Sequence, residues 1–168
     1  GANCVYPIIG TSEYGWSFIG SEIDKTALAN AQSIVDSNKE LSNKVNLKLQ
    51  ETAKDVLYGV IRVEDRVDLV ICNPPFHASP EEAEAGTNRK LRNLKLNKAN
   101  KPKKNFGGQN NELWCDGGEK KFVRNLVHES KKFSDSCFWF STLVSKQSNL
   151  KSLYGALNAA EAVEVKTI

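Results

Sequence analysis

The tetrapeptide Asn73-Pro74-Pro75-Phe76 contains the side chains best suited to chemistry. It directly follows the apolar run 67–72, so it is expected at the carboxyl end of a strand. The Asn73 amide oxygen and the Pro74 carbonyl could each accept one N–H of a planar amino group, whose delocalised lone pair makes it a poor nucleophile. The prolines would hold these acceptors in place, and Phe76 offers a ring for stacking. The pattern predicts group transfer to a conjugated amine; the alternative is a strand-ending turn with Phe76 in the core.

The opening of the chain is predicted to be a loop with one helical turn, followed by a first strand near 16–21. A second candidate site lies where this strand meets two acidic residues. Ligands of open parallel sheets bind outside the carboxyl ends of the strands, where an acidic side chain can accept both ribose hydroxyls of an adenosine. Glu22 is the better candidate for this role, because Asp24 is placed to cap the helix predicted over 25–38. Ile23 could flank an adenine ring. Together these residues predict a nucleotide-binding half of the chain.

Strands and helices alternate along the chain, which predicts an α/β fold with a mostly parallel sheet and flanking helices. Residues 1–168 are expected to form a single, incomplete catalytic domain, because the strand that should precede the loop at residue 1 and an antiparallel C-terminal partner strand are both missing. A capping pattern predicts a helix that begins at Ser79. Apolar patterns predict further strands at 45–50, 137–144 and 162–168, and helices over 122–133 and 150–157.

The composition favours a soluble intracellular domain. Of the 168 residues, 40% are apolar and 26% are charged, and no long uncharged apolar span occurs. The four cysteines lack the spacing of metal ligands and only two histidines are present, which argues against zinc and against a disulfide framework. Reduced cysteines fit a cytoplasmic location, no membrane partner is expected, and a monomer is the expected state.

Basic residues are concentrated in one segment, 86–111, which is expected to be a mobile arm that binds substrate. The segment has no acidic residue, whereas the rest of the chain has 15 basic and 20 acidic residues. A one-signed basic segment soon after the tetrapeptide could hold a polyanion such as RNA over the site; the alternative is a solvated loop. Its basic residues are Arg89, Lys90, Arg92, Lys95, Lys98, Lys101, Lys103 and Lys104.

Three stretches together resemble a known family. They are the opening Gly-Ala-Asn-Cys-Val-Tyr-Pro, the tetrapeptide with His77, and Gly-Gly-Gln-Asn-Asn-Glu-Leu-Trp-Cys-Asp-Gly-Gly-Glu at 107–119. The chain looks like the bacterial large-subunit ribosomal RNA adenine-N6 methyltransferases of the RlmF type. Their fold is the Rossmann-like class I methyltransferase fold and their cofactor is S-adenosylmethionine. The stretch at 107–119 identifies this family, since the tetrapeptide alone is shared with other amine methyltransferases.

The resemblance implies roles for individual residues. Gly1 and Asn3 would belong to the cofactor loop, Glu22 would bind the cofactor ribose, and Thr52 would lie near its adenine. Asn73 would lie beside both the cofactor and the target adenine, which Asn73 to Phe76 would hold.

Two other functions compete with this interpretation. A guanine-N2 ribosomal RNA or glutamine-N5 protein methyltransferase would use the same tetrapeptide, although a protein substrate has less need of a long basic arm. A non-catalytic RNA-binding module is the other alternative.

Overall fold

The computed structural model describes residues 2–85 and 113–168 of the chain. The chain begins with α1 (Val5–Tyr14), β1 (Phe18–Glu22), α2 (Lys25–Asp36), α3 (Lys39–Ser42) and β2 (Val45–Leu49). It continues through β3 (Val67–Cys72) and a helix, α4, that is described over 80–85. After residue 112 follow α5 (Gly118–Ser130), a short 3-10 helix (Lys131–Phe133), β4 (Cys137–Thr142) and α6 (Gln147–Ala159).

The described strands form two parallel pairs. β1 pairs with β2, with Phe18 opposite Val45 and Glu22 opposite Leu49. β3 pairs with β4, with Val67 opposite Cys137. Strand pairs of this kind, connected through helices, confirm the predicted α/β class with parallel strands.

Each strand pair has its own buried apolar cluster. The first pair packs on Cys4, Ala31, Val35, Leu41 and Val45. The second packs on Leu57, Val60, Ile61, Leu126 and Phe133. A third cluster, formed by Val123, Val127 and Leu153, joins α5 to α6. Apolar burial therefore fixes the helices on each pair separately.

A cleft of about 2230 Å³ separates the two strand pairs. Its walls include residues of β1 and β2 on one side and of β3 on the other. Among the described residues, β1 and β3 are not paired with each other.

Two strand predictions need correction. The final strand predicted over 162–168 is wrong, because these residues follow α6 without regular structure and Val163 and Ile168 are fully exposed. Alternating apolar residues do not suffice for a strand, since an extended segment needs a neighbour for its backbone hydrogen bonds, and no described strand pairs with this one. The strand predicted as buried over 137–144 ends at Thr142, and Phe138 within it is 82% exposed.

Two helical segments also differ from expectation. The opening, predicted as a loop with one helical turn, forms the ten-residue helix α1. The helix predicted over 25–38 ends at Asp36, because the Asn38 side chain accepts the N–H of Glu40 at 3.1 Å and so starts α3.

Within the described ranges, no helix is both long enough and apolar enough to cross a membrane. The four cysteines are free thiols. Burial raises the pKa of Cys72, at the end of β3, to about 11.

The start of α5 depends on glycine. Gly118 has a φ of +62°, and a Cβ atom there would lie 3.2 Å from the backbone nitrogen of Ala78. Gly155 lies inside α6 and does not have a positive φ. A Cβ atom added there would have no atom within 4 Å apart from its chain neighbours and the backbone of its own helix. The two glycines therefore form a matched pair.

We predict that Gly118→Ala lowers the free energy of unfolding by roughly 1–3 kcal/mol, because it places a side chain in left-handed backbone against the main chain of Ala78. Gly155→Ala should raise it by roughly 0.5–1 kcal/mol, because alanine favours a helix interior. Urea unfolding of both variants measures the difference. Equal effects of the two substitutions would contradict the described contact.

We predict that the Cys72 thiol makes stability depend on pH above 9. Below the ordinary thiol pKa of 9.0, both the folded and unfolded states hold the proton, so this contribution is complete. Between pH 9 and about 11 the unfolded state ionises first, and the free energy of unfolding falls by up to roughly 2–3 kcal/mol. Unfolding at pH 8 to 10.5 should show a shallower decline for Cys72→Ala than for the unsubstituted protein, and parallel curves would contradict it.

Candidate active site

The tetrapeptide after β3 forms a turn that is anchored at its centre. Cys72 ends the strand ladder by accepting the N–H of Leu143 at 3.0 Å. Pro74 is among the few fully buried side chains, and Pro75 is buried as well. Asn73 is exposed and Phe76 is half-buried, and both line the cleft. The prolines thus hold the turn in the protein while Asn73 and Phe76 face a space that could admit a ligand.

The two predicted acceptors of the turn differ in their access to the cleft. Among the described residues, no group donates a hydrogen bond to the Asn73 carboxamide or to the Pro74 carbonyl. Asn73 lines the cleft, whereas the buried Pro74 is not among the residues that line it. Asn73 can therefore offer an acceptor oxygen to an incoming N–H, and the role of Pro74 as second acceptor stays a prediction.

His77 ties the turn to a segment distant in sequence. Its N–H donates to the Leu113 carbonyl at 3.0 Å, and its carbonyl accepts the N–H of Cys115 at 3.0 Å. Trp114 between them is half-buried and lines the cleft, and its indole Nε1–H has no hydrogen-bond partner in the described part of the chain. Trp114 therefore lies at the wall of the cleft, held between two backbone hydrogen bonds to His77.

Hydrogen bonds at the start of α4 fix the backbone on the other side of the turn. Ser79 Oγ accepts the N–H of Glu82 at 3.3 Å, and the Glu82 carboxylate accepts the N–H of Ala78 at 3.0 Å. This confirms the predicted helix start. One detail differs, because the Glu82 carboxylate accepts the N–H of Ala78 rather than that of the cap residue Ser79. Backbone atoms on both sides of His77 are thus fixed.

Asp24 caps α2 as predicted, and Glu22 lies at the cleft, where its ribose-binding role stays a prediction. Asp24 Oδ1 accepts the N–H of Ala27 at 2.7 Å, which caps α2. Glu22 ends β1 at the cleft, and its Oε1 accepts the N–H groups of Ile23 at 2.9 Å and Asp24 at 3.3 Å. Its second carboxylate oxygen has no described partner, so Glu22 is oriented by the backbone and still has an acceptor to offer. Ile23, 38% exposed, also lines the cleft.

The start of the chain reaches the same cleft. Gly1 lies outside the described residues, whereas Asn3 is exposed and lines the cleft. Cys4 adopts left-handed backbone with a φ of 50°, and its buried thiol lies 3.7 Å from the Ala31 carbonyl. Helix α1 therefore begins at the cleft beside Asn3.

Thr52 is placed differently from its neighbours. It is exposed, its N–H donates to the Gln50 side chain at 3.1 Å, and it does not line the cleft. The cleft wall here is formed by residues 53–57. Of the cofactor positions that the sequence predicted and the structure describes, Thr52 alone is not brought to the cleft.

Two buried carboxylates were missed by sequence reasoning. Glu119, in the Gly-Gly-Glu stretch, accepts the side-chain N–H of Asn149 at 2.6 Å and the backbone N–H of Ser145. Glu129 accepts backbone N–H groups of residues 56–58. Each is at most 4% exposed. A carboxylate in an otherwise charged helix gives no sequence signal of burial.

Charged side chains of both signs line the cleft in the described part of the chain. Lys121, which lines the cleft, pairs with Asp116, and this hydrogen bond lowers the pKa of Asp116. Burial raises the pKa of Cys115, so the thiol stays protonated near neutral pH. The predicted basic arm lies outside the described residues, but Glu84 and Leu113 on either side of it both line the cleft.

Comparison with known proteins gives consistent results. A family model described as RNA methyltransferase matches residues 1–168. The chain is 56% identical over 168 residues to a Cytophaga hutchinsonii protein, covering 100% of this chain and 52% of that protein. It is 51% identical over 168 residues to a Bacteroides thetaiotaomicron protein, covering 100% of this chain and 55% of that protein. Both relatives are named Ribosomal RNA large subunit methyltransferase F, and the chain spans about half the length of each.

Solved structures agree with the fold. The hMettl16 catalytic domain in complex with MAT2A 3'UTR hairpin 1 matches with a TM-score of 0.74 and 29% identity, covering 95% of this chain and 52% of that one. The N-terminal domain of human METTL16 in complex with SAH matches with a TM-score of 0.66 and 24% identity, covering 99% of this chain and 51% of that one. These matches place the described strands and helices in a class I methyltransferase fold. By its match to the family model along its whole length, the chain belongs to the RNA methyltransferase family.

Proposed function

We propose that the protein containing this chain transfers a methyl group from S-adenosylmethionine to the exocyclic N6 amine of an adenine in large-subunit ribosomal RNA. The observation that carries the proposal is the turn after β3, where Asn73 is exposed at the cleft and neither its carboxamide nor the Pro74 carbonyl has a hydrogen-bond donor among the described residues. The names of the two relatives described above support the RNA substrate.

The chemical task at the turn is to make a conjugated amine nucleophilic. The N6 lone pair of adenine is delocalised into the ring, so the nitrogen must lose conjugation as it attacks. Asn73 Oδ1 and the Pro74 carbonyl would each accept one N–H, which favours a nitrogen whose lone pair points away from both oxygens. The buried ring of Pro74 keeps the acceptors in place, so little reorganisation is needed during the reaction.

The reaction balances without a strong base. S-adenosylmethionine supplies a methyl group on a sulfonium centre, so a C–N bond forms as a C–S bond breaks. The thioether is the leaving group, and the newly methylated nitrogen carries a positive charge and an acidic proton, which leaves to water. Asn73 and Pro74 stabilise the developing positive charge through their oxygen atoms.

Other cleft residues would hold the two substrates. Glu22 is oriented by two backbone N–H groups, and its second oxygen, which has no partner among the described residues, would accept a ribose hydroxyl. Ile23 and Asn3 line the cleft and would contact the cofactor together with Glu22. Thr52 does not line the cleft, so the adjoining residues 53–57, which do, would form this side of the cofactor site. The half-buried Phe76 ring would stack on the extruded adenine.

The basic arm would bind the RNA backbone. Its residues Arg89 to Lys104 lie outside the described residues, so this part of the proposal rests on charge and on where the arm connects to the fold. The described residues on either side of it, Glu84 and Leu113, lie at the cleft. An arm connected there would keep its positive charge near the adenine-binding turn.

We predict that Asn73→Ala in the full-length protein slows methyl transfer by at least roughly 100-fold, because one of the two acceptors is lost. S-adenosylmethionine affinity, measured by calorimetry, should change little. Asn158→Ala, an exposed position in α6, is the matched control and should leave both quantities unchanged. Transfer to ribosomal RNA at a near-normal rate by the Asn73 variant would refute the proposed role.

We predict that replacing Lys101, Lys103 and Lys104 by alanine weakens RNA binding and flattens its salt dependence. Each lost phosphate contact should reduce the slope of log affinity against log salt by about 0.7 to 0.9. The matched control replaces three exposed lysines elsewhere, Lys39, Lys132 and Lys151, with the same change in net charge. An identical slope in both triple variants would remove the arm from the RNA interface.

Nucleoside analysis of ribosomal RNA from cells lacking the gene tests the substrate. Loss of one N6-methyladenosine is expected. Loss of an N2-methylguanosine, or of a methylated glutamine in a protein instead, would assign the same turn to a different amine.

A further inference from the structure

We infer that Glu129 is a positioning residue for cofactor binding, which acts by fixing the segment 53–57 as a wall of the cleft. The inference rests on the proposed function, because it assumes that the cofactor occupies the cleft next to Glu22. Glu129 belongs to α5 and is 4% exposed. Nothing in the proposed transfer of the methyl group uses it directly.

The contacts of Glu129 are directed at one segment. One carboxylate oxygen accepts the N–H of Leu57 at 2.6 Å and that of Tyr58 at 3.1 Å, and both oxygens lie 3.0 Å from the N–H of Val56. Burying a carboxylate is unfavourable unless its oxygens are hydrogen-bonded, and three consecutive backbone N–H groups satisfy this need. The carboxylate thus fixes the backbone of three residues at once.

A second side chain of α5 holds the same segment. Asn125 lies one helical turn before Glu129, and its Nδ2 donates to the Lys54 carbonyl at 3.1 Å. Residues four apart share one face of a helix, so Asn125 and Glu129 bind the segment from the same face of α5. Residues 53–57 line the cleft, as does Asn125.

The other end of the segment is tied to the predicted ribose-binding strand. The Gln50 N–H donates to the Glu22 carbonyl at 2.8 Å, and Gln50 Nε2 donates to the Tyr58 carbonyl at 2.8 Å. Residues 50–58 are therefore hydrogen-bonded to β1 at one end, through Gln50, and to α5 at the other, through Glu129. Loss of the Glu129 hydrogen bonds would let residues 53–57, which face a nucleoside bound at Glu22, change position. The turn that contains Asn73 would not be affected.

The test is Glu129→Gln in the full-length protein. Glutamine keeps the size but replaces one acceptor oxygen with an NH2 group, which faces N–H donors and cannot accept from them. We expect the KM and Kd for S-adenosylmethionine to rise about 10-fold, with kcat at saturating cofactor and RNA affinity within about 2-fold of normal. Glu161→Gln, an exposed glutamate paired with Lys131, is the matched control and should change none of these.

A purely structural role for Glu129 gives a different result. It would lower the midpoint of thermal unfolding while leaving the cofactor Kd unchanged at a temperature where the variant is folded, and this outcome overturns the inference. Failure of the proposed function is distinguishable, because then the unsubstituted protein itself would not bind S-adenosylmethionine.

Hydrogen exchange on the unsubstituted protein tests the inference even if the variant does not fold. The amides of Val56, Leu57 and Tyr58 should exchange more slowly when S-adenosylmethionine is added, since binding would hold the wall against Glu129. Unchanged exchange at these three amides, at a cofactor concentration that saturates binding, would overturn the inference.

Discussion

The burial of Pro74 is the constraint on which the rest of the site depends. A carboxamide and a carbonyl can activate an amine only if their separation and direction are set before the amine arrives. Two successive prolines restrict the backbone, and the full burial of the first removes the remaining freedom of the turn as a whole. Asn73 can then be exposed, with no hydrogen-bond partner among the described residues, on a backbone that its two following prolines restrict.

Fixing such a turn requires support from outside it, and the chain supplies support from two distant segments. His77 exchanges two backbone hydrogen bonds with the segment around Trp114, and Glu82 accepts the N–H of Ala78. The close approach of Gly118 to Ala78 adds a steric limit. These contacts explain why the stretch that ends in Gly-Gly-Glu accompanies the tetrapeptide: its glycines let α5 begin against the turn, and its glutamate holds the loop before α6.

The sequence was sufficient where one local pattern determines the structure. The strand before Asn73, the cap formed by Asp24 and the helix start at Ser79 each depend on residues within a few positions of one another, and all are confirmed. It was insufficient where the outcome depends on a distant partner. Residues 162–168 alternate as a strand does but lack a neighbour, and the burial of Glu129 becomes visible only once the segment 56–58 is placed against it.

The two halves of the proposed reaction lie on different strand pairs. Glu22 ends a strand of the first pair and Asn73 follows a strand of the second, and each pair has its own apolar cluster. The described apolar clusters therefore do not by themselves set the distance between a methyl donor held at Glu22 and an amine held at Asn73. Elements that contact both sides must set it, and the segment 50–58 is one of them, since it is bonded to β1 through Gln50 and to α5 through Glu129. A reaction that requires alignment of donor and acceptor to within a fraction of an ångström thus depends on hydrogen bonds that touch neither substrate.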